Sequence, residues 1–113
     1  MKRKSDLRIQ DIIDAIESIT RAIKGIAEKD FCENEVLLSA VIRWLEIIGE
    51  AAKYVPIEIK QKNTDIPWKE MAAMRDVAIH DYAELIPEDI WKTITKDIPL
   101  LCDKIKKIKL ERL

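Results

Sequence analysis

The chain has one histidine, His80, so any reaction here that needs an imidazole must use it. It stands in the run Arg75-Asp76-Val77-Ala78-Ile79-His80-Asp81-Tyr82. An imidazole moves protons near neutral pH. A guanidinium is always charged and grips phosphate oxygens through two parallel hydrogen bonds. Arg75 and His80 together therefore suit work on a phosphodiester, and Tyr82 adds an aromatic ring and a modifiable hydroxyl. Asp76 precedes His80 by four residues. On a helix that spacing lets its carboxylate orient the ring and favour the protonated form.

The spacing also constrains the backbone. In an unbroken α-helix, residues five apart point about 140° away from each other. Arg75 and His80 then share no face, whereas Arg75 and Tyr82, seven apart, nearly do. Either the helix ends near His80 and the chain turns, or the site draws on more than one chain. The plainer alternative is structural throughout. His80 then caps carbonyls near a helix end, Arg75 is a solvated or ion-paired surface group, and Tyr82 packs on an amphipathic face.

The elements carrying this run are helical. Ile9, Ile12, Ile13, Ile16, Ile19, Ile23 and Ile26 recur at three- and four-residue spacing, which predicts an amphipathic helix capped by Ser5 or Asp6. Asp30-Phe31-Cys32-Glu33 reads as a connector, with Asn34 as cap of the next helix. That helix carries Leu37, Val41, Leu45, Ile48, Ala52 and Val55 on one stripe, widened by Leu38, Ile42 and Ile47, and Pro56 stops it. A short helix is expected over Pro56 to Lys62. A third main helix is expected from Pro67 towards His80, burying Trp68, Met71, Ala72, Ala78 and Ile79. The last carries Ile90, Trp91, Ile94, Ile98, Leu101, Ile105 and Ile108, kinked at Pro99 because the apolar period continues across it. The fold class read from this is all-α: an up-and-down bundle of four main helices plus a short one, in a single domain spanning 1–113.

Composition narrows the function. Gly25 and Gly49 are the only glycines, leaving little room for glycine-rich phosphate loops. A net charge of −1 speaks against coating of long nucleic acid, which needs a positive excess; any such contact is expected to be local. Cys32 and Cys102 are far apart with no ligand-like neighbours in sequence, so no metal site and no cofactor is expected. Both read as small buried hydrophobes in a reducing compartment. No signal-peptide core follows the first residues and no apolar run reaches spanning length, so a cytoplasmic location is expected.

The run RDVAIHDY, an Arg-(four residues)-His-(one residue)-Tyr pattern, resembles the signature of the HEPN superfamily, and within it the HepT-like toxins. Three further blocks resemble the family in order: Leu45 to Lys53 its second helix, Ile66 to Glu70 the entry to its motif helix, and Ile90-Trp91 with Asp97-Ile98-Pro99 its last helix. Asp76 stands where Asn is most frequent. The resemblance implies a helical homodimer that cleaves RNA without metal, with Arg75 and His80 as catalytic residues. It also implies a partner, a nucleotidyltransferase antitoxin of the MntA type, which transfers AMP to the signature tyrosine, here Tyr82. A different class of function fits the same relatives: a non-catalytic helical binding subunit of a nucleotidyltransferase.

Residues outside the motif add less. Gly49 inside a helix costs about 1 kcal/mol against Ala, which points to close packing of another helix. Glu46 and Glu50 are candidates for lining the dimer cleft, or else belong to a solvated face. Lys104, Lys106, Lys107, Lys109 and Arg112 suit the dipole of the last helix better than an RNA track.

Overall fold

A computed structural model describes residues 4–78 and 85–111, and among these all regular structure is helical. Helix α1 spans Lys4–Ile23, α2 Glu28–Glu33, α3 Glu35–Lys53, α4 Ile57–Lys62, α5 Trp68–Ala73, α6 Pro87–Lys92 and α7 Ile98–Glu111. A 3₁₀ turn, Met74–Ala78, continues α5, and a π turn, Thr93–Asp97, joins α6 to α7. The all-α bundle expected from apolar spacing is what forms.

Helix α1 lies against both α3 and α7. It buries Ile9, Ile12, Ile13, Ile16 and Ile19, while α3 buries Val41, Ile42, Leu45, Ile48 and Ala52. Ile98, Leu101, Ile105 and Ile108 complete the core from α7. Each of these Ile, Leu and Val side chains contributes about 1.5–3 kcal/mol by leaving water. Lys106 on α7 pairs with Glu17 on α1 at 3.3 Å, and that hydrogen bond raises the ammonium pKa. Lys104 donates to the Asp65 carbonyl at 3.0 Å. Two of the tail cations therefore tie α7 to neighbouring segments rather than serving its dipole alone.

Several sequence expectations change. α1 is already helical at Lys4, so Ser5 and Asp6 lie inside its first turn instead of capping it. It stops at Ile23, Gly25 turns the chain at φ 76°, and Ile26 is exposed. Asp30 to Glu33 is not a connector: it belongs to α2, whose Phe31 is fully buried with its ring 5.2 Å from that of Trp91. One and a half turns with one buried ring carry no readable period. Asn34 caps α3 as expected, accepting from the Leu37 N–H at 3.0 Å, and α4 forms after Pro56.

The third main helix is shorter than expected. Its α-helical part ends at Ala73 and the chain tightens before Arg75 rather than near His80. Pro99 is accommodated by the π turn: the Ile98 N–H bonds the Thr93 carbonyl, widening the turn just before the proline. Thr93 and Thr95 hydroxyls donate back to the carbonyls of Asp89 and Trp91, a pattern that bends helices. The apolar period passes through, with Ile90, Ile94 and Ile98 all buried.

Candidate active site

Arg75 sits on the 3₁₀ turn that packs directly on α3. Gly49 makes this approach possible. A Cβ at position 49 would meet the Arg75 backbone nitrogen at 2.4 Å, Arg75 Cβ at 2.9 Å and the Ala72 carbonyl oxygen at 3.0 Å. Only a residue without a side chain lets the motif backbone come this close. The close helix packing read from a mid-helix glycine is present, and its partner is the motif segment itself.

The next residue of α3 holds the arginine side chain. Arg75 Nη1 donates to Glu50 Oε2 at 3.1 Å, and Asp76 Oδ1 lies 3.9 Å from Arg75 Nε. The Arg75 side chain keeps 32% of its surface exposed. Among the described residues the guanidinium is tethered through one nitrogen and stays partly open to solvent, and guanidinium N–H groups are of the kind that grip phosphate oxygens. Asp76, 57% exposed, leans towards the arginine. Its expected hydrogen bond to His80 lies outside the described residues, as do His80 and Tyr82 themselves.

Glu46 and Glu50 line a cleft within the single chain, a different feature from the dimer cleft expected for them. It opens between α1 and α3, about 240 Å³ in volume, and is shared by Arg8, Asp11, Arg43, Ile47 and Ala51. Glu46 Oε1 accepts from Arg43 Nη1 at 2.9 Å. Arg8 lies over the ring of Tyr54, 5.1 Å from its centroid. Arg8 and Arg43 are not among the residues that the sequence motif marks. The signal available was their register: Arg43, Glu46, Glu50 and Tyr54 recur at three- and four-residue spacing on one face of α3 and its cap.

Cys32 is unsuited to nucleophilic work. Burial pushes its thiol pKa up, and the charges of Glu88, Glu28 and Glu33 push it further, so little thiolate exists at neutral pH. Both cysteines are free and partly buried. Among the described residues, no three His, Cys, Asp or Glu side chains are grouped so as to hold a metal ion, and no helix is long and apolar enough to cross a membrane.

Comparison with known proteins supplies the family. Residues 12–108 match the ribonuclease HepT-like family model. A protein of Thermococcus cleftensis named "Probable ribonuclease HepT" is 43% identical over 109 residues, covering 96% of this chain and 99% of that one. "Putative RNase TTE0752" of Caldanaerobacter subterraneus subsp. tengcongensis is 43% identical over 100 residues, 88% of this chain and 89% of its own. "Putative RNase MJ1380" of Methanocaldococcus jannaschii is 36% identical over 106 residues, 94% of each. No solved structure matches significantly. With the family model matched across the helices that seat Arg75 and relatives aligned over nearly the full length, the chain belongs to the ribonuclease HepT-like family.

Proposed function

We propose that this chain is the endoribonuclease toxin of a cytoplasmic toxin–antitoxin pair, cutting RNA without a metal ion. The observation that carries the reading is Arg75: seated on Gly49, tethered to Glu50 and open to solvent, five residues before the one histidine. Family membership adds the substrate class. His80 takes the proton of a ribose 2′-OH, whose oxygen attacks the adjacent phosphorus as the P–O5′ bond breaks. Arg75 holds the phosphoryl oxygens where negative charge gathers. The departing 5′-oxygen needs a proton, and a two-fold dimer supplies a second imidazole to give it. The products are a 2′,3′-cyclic phosphate and a 5′-hydroxyl.

The proposed regulator is an MntA-type nucleotidyltransferase acting on Tyr82. AMP on that hydroxyl brings bulk and a negative charge into a site built for phosphate, and substrate is repelled and occluded.

The test is cleavage of RNA by purified, unmodified protein, in EDTA, with end-group analysis. His80→Ala and Arg75→Ala are expected to lose cleavage while the far-ultraviolet circular dichroism stays unchanged. Full activity in the His80→Ala chain removes the mechanism. Absence of cleavage by the unmodified chain leaves the binding-subunit reading in its place. For the regulator, co-expression with an MntA-type nucleotidyltransferase is expected to add the mass of AMP at Tyr82, and a Tyr82→Phe chain that is still neutralised refutes this role.

A further inference from the structure

We infer that the cleft between α1 and α3 is a nucleobase subsite beside the phosphate clamp, and that it selects guanine; this rests on the nuclease reading above. Three observations carry it. The cleft and the clamp share a wall: Glu50 lines the cleft and also tethers Arg75. Whatever occupies the cleft is therefore next to the phosphate that Arg75 holds. At about 240 Å³ it lies below the roughly 300 Å³ at which pockets for drug-sized ligands begin, which suits one planar ring system. Its carboxylates, Asp11, Glu46 and Glu50, are not grouped as metal donors, and they oppose a second phosphate.

The remaining fit is a base edge. Arg43 and Glu46 stand side by side, joined through Nη1 and Oε1 at 2.9 Å, with 65% and 39% of their side-chain surface exposed. The pair presents an N–H fork next to a carboxylate oxygen. Guanidinium forks match the adjacent acceptors N7 and O6 of guanine, and a carboxylate matches its adjacent N1–H and N2–H donors. Adenine, cytosine and uracil each lack either the paired acceptors or the paired donors. Unstacked RNA bases are read in this way, by hydrogen bonds to their edges and stacking on planar side chains. The stacking plane is the guanidinium of Arg8, which lines the cleft and is itself supported by the ring of Tyr54 beneath it, 5.1 Å from its centroid.

The experiment uses short RNAs that differ only in the base on either side of the cut, with kcat/KM measured for the unmodified full chain. Guanine at one of the two positions is expected to raise kcat/KM over adenine by roughly 5- to 150-fold, the range for one well-made bidentate contact. Glu46→Gln and Arg43→Met are each expected to bring that ratio close to unity. As a second readout, the His80→Ala chain is titrated with guanosine and adenosine 3′-monophosphates by NMR, and guanosine alone is expected to shift amides along α1 and α3. Cleavage indifferent to the flanking base, or a preference unmoved by both variants, overturns the subsite and leaves the nuclease standing. Cleavage of no RNA at all overturns the nuclease, and the nucleotide titration then decides the cleft by itself.

Discussion

Replacing Gly49 by alanine tests the seating of the arginine, because two forces oppose each other there. In an exposed helix the change stabilises by about 1 kcal/mol. Here the new Cβ meets the Arg75 backbone nitrogen at 2.4 Å, where ordinary contact begins at 3.4 Å. The obstructing atoms are backbone at Arg75 and Ala72 and the Arg75 Cβ, which moves only with its backbone, so no side chain can swing aside, and α3 and the 3₁₀ turn must separate by about 1 Å. Overpacking of this kind costs about 1–3 kcal/mol, which outweighs the propensity gain. A net loss of about 1 kcal/mol lowers the melting temperature of a domain this size by about 4 °C. The effect on catalysis is larger, since a displacement near 1 Å costs about 10²-fold. Thermal unfolding and kcat/KM for RNA cleavage are measured on the same preparation. A Gly49→Ala protein that melts higher than the parent and cleaves equally well refutes the claim that this contact positions Arg75.

Glu50→Gln removes the charge from the tether while preserving shape. The pair is half-buried, its side chains keeping 32% and 46% of their surface exposed, so stability changes by about 1 kcal/mol, but kcat/KM is expected to fall about tenfold as Arg75 is held less firmly; unaltered kinetics refute the tether. Phe31→Ala empties a fully buried site against Trp91 and is expected to cost about 3–5 kcal/mol in urea unfolding. Gly25→Ala meets no atom within 4 Å, yet φ 76° is left-handed backbone, and about 1–2 kcal/mol of destabilisation is expected. A neutral result in chemical denaturation refutes that reading.

Much of this fold is legible from apolar spacing. The stripes of α1, α3 and α7 are long enough for their period to show, and most residues on them are buried, with Ile23, Leu37, Leu38 and Ile47 half-buried at the margin. Local features that depend on a distant partner are not legible. Nothing in Met74 to Ala78 announces a 3₁₀ turn, because the turn accompanies the close approach to Gly49 on another helix. α2 is hidden for the opposite reason, its order resting on a single ring. For the site, the glycine in mid-helix points correctly to close packing, whereas the cleft that Glu46 and Glu50 line lies within one chain, which their positions on α3 alone do not reveal. Arg8 and Arg43 escape notice because an arginine on a charged helix face looks like any other until α1 and α3 are placed side by side.

Gly49 and Glu50 are neighbours in the chain and act on the same residue, one through its backbone and one through its side chain. Their substitutions are therefore not independent: once a methyl group has pushed the turn away, the carboxylate no longer reaches its nitrogen, and removing that carboxylate costs little more. A double-mutant cycle across this pair is non-additive by construction. Free energies measured at one of these positions cannot be transferred to a relative that differs at the other.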